Sequence, residues 1–573
     1  MITRLLKSAA RFAWFLPAVL LWASFPPLGE KTNVFFALAP LLWFARNKSP
    51  RESFRLWFLN GFLFWIGTLA WMPAIVKNGG PWPLVVLGWA GLAAYCALYF
   101  GAFGFLSAKI WEKVGVSYFR RLMVILFVEP ILFAALELFR SRLFGGFAWN
   151  HLGVASANAG FVAPLALGGV YLSTAIAVLV NGTVASIAER VLAPWIAARG
   201  RRISLAGGEL FIKDSEREFL SVPRWFRSVE TILPILLAWA LYSAGSFFAE
   251  SPKCEGEHSK TLKVALVQRN FPCAFSTDES DPKAEYTRHL KMASLFSPDL
   301  IVLPESAFCE FAPFDHAAAG NVASWMLSFG SAKGLLAGGS RTEKGELFNS
   351  AALYRRDTVS GALGGQYYDK VHLVPFGEFI PGDKLFPLLQ KLAPVGSCTS
   401  GELKLLDFDG VKIGVAICFE DTDSAQMRAL SRMGADVLVF ITNDSWFSGS
   451  DETEQHAWQA IARAVETGLP VIRVGNSGVT GIIYPSGKAS WLEARGGGIL
   501  IDQAGCKLET VEVPQPTLPP YVAYGDMPLT VLSILVLGIS FGPGLFRRKQ
   551  REGEMHQLFV NRRNLPLTVK HRQ

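Results

Sequence analysis

The sequence predicts a chain of two fold classes: a polytopic α-helical membrane domain of about eight transmembrane helices, and an α/β domain held outside the cytoplasm. Three observations lead to this prediction. Charged residues make up only 18% of the chain, well below the quarter that soluble domains usually carry. Apolar stretches long enough to cross a bilayer recur along the chain. The one long polar segment alternates strand and helix patterns.

Eight apolar stretches approach the roughly 20 residues that a helix needs to cross a hydrocarbon core. The second is short, and we expect it to tilt little or to enter the bilayer at an angle. The first follows Arg4, Lys7 and Arg11 as a signal peptide would, but more spans follow and no convincing cleavage site is present, which predicts an uncleaved helix. The stretches cover residues 10–28, 32–46, 55–76, 83–108, 121–140, 160–187, 229–249 and 527–546.

Lysine and arginine residues predict the orientation of these spans. They cluster at the N-terminus, in residues 46–55, 109–121 and 190–227, and after Arg547, and the positive-inside rule assigns such segments to the cytoplasm. The alternation holds through all eight spans. The net charge of +8 is explained by this pattern and by contact with anionic lipid, so it requires no nucleic-acid partner.

The same alternation places the long polar segment outside the cytoplasm, tethered by helices at both ends. Four divisions follow: residues 1–250 for helices one to seven, 255–515 for the external domain, 527–546 for helix eight, and 547–573 for a basic cytoplasmic tail.

The external domain alternates strands with helices, which predicts an α/β layer architecture. Polar residues follow several of the strands, and open α/β sheets place their sites at the carboxyl ends of strands. Helices are predicted over 424–433 and 452–467. The predicted strands are LKVALVQ (262–268), DLIVLP (299–304), FNSAALY (348–354), VKIGVAI (411–417), ADVLVFI (435–441) and LPVIRV (469–474).

Three residues near these strands form a chemically sufficient set for acyl transfer through a thioester. Cys418 is a nucleophile that needs activation, because a thiol is weak at neutral pH. Glu305 can take its proton, and Lys370 can stabilise both the thiolate and the oxyanion of a tetrahedral intermediate. Each residue alone has an ordinary explanation, as a buried small side chain, a loop charge and a surface lysine. Their co-occurrence favours the catalytic interpretation.

No metal or cofactor is predicted. The chain contains no CxxC pair and no cysteine–histidine ligand spacing, so a zinc site is not expected. Cys418 must stay unpaired if it is the nucleophile. An oxidising compartment allows disulfides among the other external cysteines, with a connectivity that spacing leaves open: Cys254, Cys273, Cys309, Cys398 and Cys506.

These residues closely resemble the nitrilase (carbon–nitrogen hydrolase) superfamily, whose signature is a Glu–Lys–Cys triad on an αββα sandwich. The match covers about residues 262–515. HLVPFGEFIP (372–381) and the flanking helices resemble one membrane branch, the apolipoprotein N-acyltransferases of the bacterial inner membrane. Segments in both halves look like family segments: LAPLLWFAR (38–46), ALELFRSRLFGGFAWNHLG (135–153) and NDSWFSGSDETEQH (443–456).

The resemblance implies a ping-pong reaction in the last step of bacterial lipoprotein maturation. Cys418 would attack an acyl ester of a membrane phospholipid, form a thioester and release a lysophospholipid. The N-terminal amine of a diacylglyceryl-cysteine on an apolipoprotein would then take the acyl group. Glu305 would be the general base and Lys370 the oxyanion stabiliser. The implied setting is a multi-pass protein of the inner membrane with its catalytic domain on the periplasmic side.

Four further residues match family positions, and a fifth departs from the family. Glu378 is expected to orient the triad. Glu420 matches an important carboxylate beside the nucleophile, or else is a salt-bridged support for the sheet. Phe419 and Trp446 match aromatic positions near the acyl site, or else pack in the core. Phe275 stands where the family often has a tryptophan, so that substrate contact is expected to differ.

Two alternatives use the same features differently. A membrane-tethered amidase or nitrilase-type hydrolase would deliver the acyl group to water, and the PFGEF loop and the membrane segments argue against it. A transporter or scaffold with an inactive external domain would lack a triad member, and none is missing. We expect a monomer.

Overall fold

The structure, a computed structural model, combines a helical half with a half built on two β-sheets. The helical half precedes the sheets in the chain, and one further apolar helix follows them. The described residues are 14–115, 117–198, 204–205, 208–209, 224–249, 260–271, 291, 297–307, 323–325, 327–328, 330–356, 365–380, 398–513 and 518–542.

The described residues contain thirteen α-helices, and short 3₁₀ or π segments lie between several of them. The 3₁₀ turns that matter later are Met72–Asn78, Cys418–Thr422 and Asp444–Phe447. The α-helices are α1 Leu16–Ala23, α2 Ala39–Ala45, α3 Pro50–Thr68, α4 Trp82–Val114, α5 Tyr118–Met123, α6 Glu129–Arg140, α7 Leu152–Asn158, α8 Pro164–Ala198, α9 Arg224–Ala249, α10 Ser424–Arg432, α11 Glu452–Thr467, α12 Pro520–Tyr524 and α13 Met527–Phe541.

Five of the predicted spans are helices long and apolar enough to cross a membrane, within the part of the chain that the structure describes. The other three stretches give shorter helices: α1, α2 and the 15-residue α13. Pro26 and Pro27 follow α1, and proline cannot continue a helix. The five long segments are Pro50–Asn78, Trp82–Val114, Tyr118–Arg140, Pro164–Val191 and Ser228–Ala249.

The surface of α9 shows why this half belongs in lipid. Ile235 is 58% exposed and Trp239 is 67% exposed, and Ile232, Leu233 and Leu236 are exposed beside them. Soluble proteins rarely expose such contiguous apolar surface, because its burial away from water is favourable. The chain is therefore an integral membrane protein.

Helices α3 and α4 pack closely because small residues line their contact. Ser53 Oγ donates to the carbonyl oxygen of Gly104 at 2.7 Å. A Cβ atom at Gly104 would clash with the Trp57 ring and would lie 2.8 Å from the carbonyl oxygen of Ser53. Small residues at such contacts let helix backbones approach within a membrane, where tight packing drives association.

One end of the helical half carries a cluster of buried ion pairs. Arg121 lies 2.6 Å from Glu189 and 3.0 Å from Glu230, and Arg46 lies 3.4 Å from Glu189. Charged groups buried within helices are costly and are found paired. The cluster therefore connects four parts of the helical half: α5, α8, α9 and the residue that directly follows α2.

The strands form two six-stranded sheets and one small hairpin. In the first sheet the order is β14-β3-β4-β5-β6-β7, and in the second it is β13-β12-β11-β10-β9-β8. Each sheet has three parallel strands at its centre, β3-β4-β5 and β9-β10-β11, with antiparallel neighbours outside them. The strands are β1 Ser204–Leu205, β2 Gly208–Glu209, β3 Lys260–Gln268, β4 Leu300–Val302, β5 Gly334–Glu343, β6 Glu346–Arg355, β7 Gln366–Asp369, β8 Leu405–Phe408, β9 Val411–Ile417, β10 Val437–Thr442, β11 Val471–Gly475, β12 Gly481–Ile483, β13 Ala489–Trp491 and β14 Gly505–Val513.

The two sheets pack face to face. Alternate residues of each strand point into the shared core, including Val264 and Leu336 from the first sheet and Val415 and Val439 from the second. The opposite face of the second sheet is covered by α10 and α11. This period of two follows from the pleat of a β-strand. All six strands predicted in this domain and both predicted helices are present, with small shifts at their ends.

Helix α11 also joins the sandwich to the helical half. Gln455 Oε1 accepts hydrogen bonds of 2.9 Å from Trp149 Nε1 and from Asn150 Nδ2. Gln455 Nε2 donates to the carbonyl oxygens of Pro26 and Thr68 at 3.2 and 3.1 Å. One buried amide therefore bonds three separate segments of the helical half, and we infer that the two halves hold a fixed relative position.

The Gly104 contact gives a first prediction. Gly104→Ala should lower the thermal midpoint of the detergent-purified protein, because overpacking a close contact costs about 1–3 kcal/mol. Gly88→Ala in the same helix is the matched control, because a Cβ atom there would meet nothing within 4 Å. Equal midpoints for the two variants would contradict the close packing of α3 on α4.

Candidate active site

The structure brings Glu305, Lys370 and Cys418 together from three strand ends. Glu305 follows β4, Lys370 directly follows β7, and Cys418 directly follows β9. The first two strands belong to one sheet and β9 to the other. The site therefore lies where the two sheets of the sandwich meet, at the carboxyl ends of two of the central parallel strands.

Lys370 is buried between carboxylates. Its side chain is 1% exposed, and Nζ lies 2.9 Å from Glu378 Oε2 and 4.0 Å from Glu305 Oε1. Burial by itself would lower the pKa of this lysine, but the negative charges of Glu378 and Glu305 outweigh burial and raise its pKa above the usual value. Lys370 is therefore a cation at neutral pH.

Asn349 holds the two glutamates in place. Its Nδ2 donates to Glu305 Oε1 at 2.8 Å and to Glu378 Oε1 at 2.7 Å, while its backbone oxygen accepts from the Lys370 amide at 2.8 Å. The amide N–H of Asn443 donates to Glu305 Oε2 at 2.9 Å. Both oxygens of Glu305 are thus bonded, which fixes the direction in which its carboxylate faces.

The surroundings of Glu305 raise the pKa of its carboxyl group. Burial raises its pKa; Lys370 lowers that pKa, while Glu378 raises it further, and the net shift is upward. A carboxylate whose pKa is raised accepts a proton more readily at neutral pH. The glutamate that the sequence predicts as a base is therefore tuned in the direction that this role needs.

Cys418 sits at a sharp turn between β9 and the 3₁₀ turn Cys418–Thr422. Its φ is +53°, a left-handed conformation that costs a residue with a Cβ atom about 1 kcal/mol or more. Burial raises the pKa of its thiol well above the usual value, as does the charge of Glu305. The resting side chain is consequently a thiol and not a thiolate, and it requires a base. Cys418 forms no disulfide, and neither do Cys96 and Cys506.

Glu420 braces the backbone on both sides of the site. Its oxygens accept from the amides of Val371, His372 and Ile417 at 2.7, 3.0 and 2.8 Å. They also accept from the Tyr368 hydroxyl at 2.9 and 3.0 Å. Burial raises the pKa of Glu420. It joins the segment after Lys370 to the strand before Cys418, which is the geometry of a structural support.

Phe419 joins the nucleophile turn to the helical half. Its ring stacks on Phe147 with centroids 6.2 Å apart and on Trp149 at 6.4 Å, and the His372 ring meets it edge-on at 5.8 Å. Arg140 NH1 donates to the carbonyl oxygens of Phe147 and Trp149. An aromatic surface from the helical half therefore contacts the residue that directly follows Cys418.

Of the two other aromatic candidates, Trp446 and Phe275, only Trp446 lies within the described residues. Trp446 is half-buried in the 3₁₀ turn Asp444–Phe447, and its carbonyl oxygen accepts from Asn78 Nδ2 at 2.7 Å. Its neighbour Phe447 meets the Trp71 ring at 4.8 Å. Phe275 lies outside the described residues.

Glu378 provides a test of the ion-pair arrangement. Glu378→Gln should reduce the free energy of unfolding by about 3 kcal/mol, because removing one partner leaves a buried lysine without its nearest counter-charge. Glu402→Gln, a change of the same kind at an exposed position, should change it by less than about 0.5 kcal/mol. Thermal midpoints of the two purified variants give the comparison, and a Glu378→Gln protein as stable as the control would contradict the assigned pairing.

Comparisons with known proteins agree in both halves of the chain. Residues 17–183 match the family model of the apolipoprotein N-acyltransferase N-terminal domain, and residues 263–508 match the carbon-nitrogen hydrolase model. Among solved structures, a mutant of the Nesterenkonia AN1 amidase, a member of the nitrilase superfamily, aligns with 47% of this chain and with 96% of the amidase chain. The sequence identity is 17% and the TM-score is 0.34, which is too distant a similarity to support an argument.

Curated relatives extend across most of the chain. The apolipoprotein N-acyltransferase of Geobacter metallireducens is 32% identical over 487 residues, which is 82% of this chain and 84% of the relative. That of Methylococcus capsulatus is 27% identical over 560 residues, covering 94% and 96%. A helical membrane half, a carbon–nitrogen hydrolase domain and relatives that align across both establish that the chain belongs to the apolipoprotein N-acyltransferase family.

Proposed function

We propose that this protein transfers a fatty acyl chain from a membrane phospholipid to the N-terminal amine of the diacylglyceryl-cysteine of apolipoproteins, through a thioester on Cys418. One observation carries the proposal: buried Glu305 and Lys370 meet the half-buried Cys418, and the next residue, Phe419, stacks on aromatic rings supplied by the membrane half. The family membership and the names of the relatives support the same activity.

The first half-reaction uses all three residues. Glu305 takes the proton of the Cys418 thiol, and the sulfur attacks the ester carbonyl carbon of the phospholipid. Lys370 stabilises the oxyanion of the tetrahedral intermediate. When the intermediate collapses, the C–O bond breaks, Glu305 returns the proton to the leaving alkoxide, and a lysophospholipid departs. The acyl chain remains on sulfur as a thioester.

The second half-reaction runs through the same groups. The neutral amine of the lipidated cysteine attacks the thioester carbonyl carbon, and Glu305 removes a proton from the nitrogen. The C–S bond breaks, the proton passes to the sulfur, and Cys418 is restored as a thiol. The product is an amide, so the enzyme returns to its starting protonation state without a cofactor.

The aromatic surface favours transfer to an amine over hydrolysis. Phe147 and Trp149 stack on Phe419, the residue after the nucleophile, and we propose that the acyl chain lies in these apolar surroundings. A site that excludes water protects a thioester from hydrolysis. We propose that Trp446 and Phe275 contribute further lipid contacts.

The supporting residues act through the triad. Glu378 neutralises and orients Lys370, with Asn349 linking it to the base. Glu420 fixes the distance between the Lys370 segment and the Cys418 turn by bonding both backbones. Neither carboxylate is needed to accept a proton in the reaction.

We also propose the location. The chain lies in the bacterial inner membrane, crosses it with about eight helices, and carries residues 255–515 as a domain on the periplasmic side between 1–250 and the helix 527–546. The lysine and arginine pattern supports this orientation, because the positive-inside rule assigns the segments beside Arg46 and Arg121 to the cytoplasm. The basic tail 547–573 contacts anionic lipid. All three triad residues come from one chain, which supports a monomer.

Mass spectrometry of the intact purified protein incubated with a defined phospholipid tests this function. An acyl mass should appear on Cys418, should be absent from Cys418→Ala, and should leave when a diacylglyceryl-cysteine peptide is added. Glu305→Gln should slow adduct formation by about 10²–10⁴-fold, the usual contribution of a general base. An adduct lost equally fast without the peptide would indicate a tethered hydrolase. No adduct on reduced, folded protein would exclude Cys418 as the nucleophile.

The pH dependence of adduct formation gives a further prediction. Only the carboxylate form of Glu305 can take the thiol proton, and its pKa is raised. The rate should therefore fall with decreasing pH, and the fall should begin at a higher pH than the pKa of an ordinary glutamate would give. Single-turnover rates from about pH 5 to about pH 8 measure this limb, and a rate that stays constant over the range would contradict the assigned base.

A further inference from the structure

A second buried cluster of charges lies next to the site. Within the described residues its side chains form no hydrogen bond to Glu305, Lys370 or Cys418, although the charge of Asp444 helps to raise the pKa of the Cys418 thiol. The cluster contains one histidine, one arginine and three carboxylates, contributed by α11, β11 and the two 3₁₀ turns that follow β9 and β10. Each side chain is at most 5% exposed. The members are Asp421, Asp444, Glu452, His456 and Arg473.

The geometry of His456 defines its protonation. Nδ1 lies 3.0 Å from Asp444 Oδ1, and Nε2 lies 3.0 Å from Asp421 Oδ1. An ionised carboxylate can only accept hydrogen bonds, so both ring nitrogens must donate. That requires an imidazolium. Burial alone would lower the pKa of His456, but Asp421 and Asp444 outweigh burial and raise it to about 10.

The remaining members balance this charge. Arg473 donates to Asp421 Oδ2 at 2.7 Å and to Asp444 Oδ2 at 3.3 Å. Burial and the nearby Asp444 charge raise the pKa of Glu452 to about 8, so Glu452 is mostly neutral at pH 7. Two cations then face two anions. A neutral His456 would leave one uncompensated negative charge in a buried place, which is strongly unfavourable.

The two carboxylates that His456 joins belong to the two backbone turns that build the site. Asp421 is in the same 3₁₀ turn as Cys418. Asp444 follows Asn443, whose amide N–H holds Glu305 Oε2 at 2.9 Å. The imidazolium is therefore a crosslink between the turn that presents the nucleophile and the turn that aims the base.

The same histidine lies against the membrane half. Its ring centroid is 5.5 Å from that of Trp149, which also stacks on Phe419. The preceding residue, Gln455, bonds Trp149 and Asn150. The crosslink is thus held from the side of the membrane helices as well as from within the sandwich.

We propose that His456 is a positioning residue of the acyl transfer: as a cation bonded to Asp421 and Asp444, it sets the distance between the Cys418 thiol and the Glu305 carboxylate. This inference rests on the proposed function. A displacement of about 1 Å between reacting groups costs about 10²-fold in rate, so a crosslink of this kind acts on the chemical step and not on the binding of the phospholipid.

The test compares a neutral and a cationic replacement. His456→Gln should slow the single-turnover acylation of Cys418 by about 10²-fold, while the phospholipid concentration for half-maximal rate changes less than about twofold. His456→Lys restores a positive charge between the two carboxylates. Its acylation rate should be at least about a tenth of the wild-type rate, which is about tenfold faster than that of His456→Gln. Gln459→Met is the matched control, because Gln459 is buried on the same helix with no hydrogen-bond partner for its side chain among the described residues.

The outcomes separate the two proposals. If wild-type protein forms no adduct, the proposed function fails. If wild type forms the adduct and folded His456→Gln forms it at the wild-type rate, the role of His456 is overturned. It is also overturned if His456→Lys is as slow as His456→Gln, because shape and not charge would then matter. Should His456→Gln not fold, Asp421→Asn replaces it, with the same loss expected and a wild-type rate counting against the proposal.

Elemental analysis of the active protein provides an independent check. The ligand atoms of Asp444, Glu452 and His456 lie within 4.8 Å of one another, close enough to bind a metal ion. The proposal expects metal-free protein that keeps full activity in a chelator. One metal ion per chain, with activity lost on chelation, would overturn it.

Discussion

The active site is organised by the need to keep a lysine ammonium charged without water. Lys370 is 1% exposed, and an unpaired ammonium at such a position would lose its proton or destabilise the fold by several kcal/mol. Glu378 and Glu305 supply the compensating charge. Asn349 fixes the orientation of both carboxylates, because its side-chain amide donates a hydrogen bond to each of them. The backbone follows this requirement: the loop after Lys370 folds back so that the Val374 amide also bonds Glu378, at 2.8 Å. Removing any one of these groups would leave another without its partner.

The membrane half completes this architecture. In a sandwich of two sheets the outer helices usually face solvent, but α11 packs on α7 and α8 and is almost entirely buried. Glu466 on this helix accepts from the amide of Val170 at 2.7 Å. The helix that covers the second sheet is thus also a wall of the helical half. The position of the nucleophile is therefore defined relative to the membrane helices, as an enzyme acting on lipids requires.

The sequence was sufficient for the parts of the structure that local patterns determine. Six strands and two helices of the external domain were predictable because apolar alternation and polar strand ends are local signals. Glu305 and Cys418 could be singled out because each follows a predicted strand, and Lys370 because it directly precedes the family-like loop 372–381. Strands β5, β7, β8, β12, β13 and β14 were not predicted; most are short or lie outside the centre of the sheet, where the apolar alternation is weaker.

Side chains that bond across the fold were less accessible to sequence reasoning. Asn349 lies inside β6 and resembles any polar residue of a half-buried strand, so its two bonds to Glu305 and Glu378 depend on the pairing of distant segments. His456 ends the family-like segment 443–456, but that segment does not show what the histidine bonds. Its partners Asp421 and Asp444 are 35 and 12 residues away in the sequence, and only the folded sandwich brings all three together. Asn443 directly follows β10, but its contact with Glu305 through the backbone amide depends on the fold and could not be predicted.

The left-handed backbone of Cys418 has an evolutionary consequence. With φ at +53°, this is a position where glycine would relieve local strain and where most side chains carry a penalty of about 1 kcal/mol or more. A thiol is retained there at the expense of folding stability, so the residue that gives the protein its reactivity is also one that selection for stability alone would discard. Variants selected only for thermal resistance would accumulate glycine at this turn, and each would gain stability by giving up the reaction.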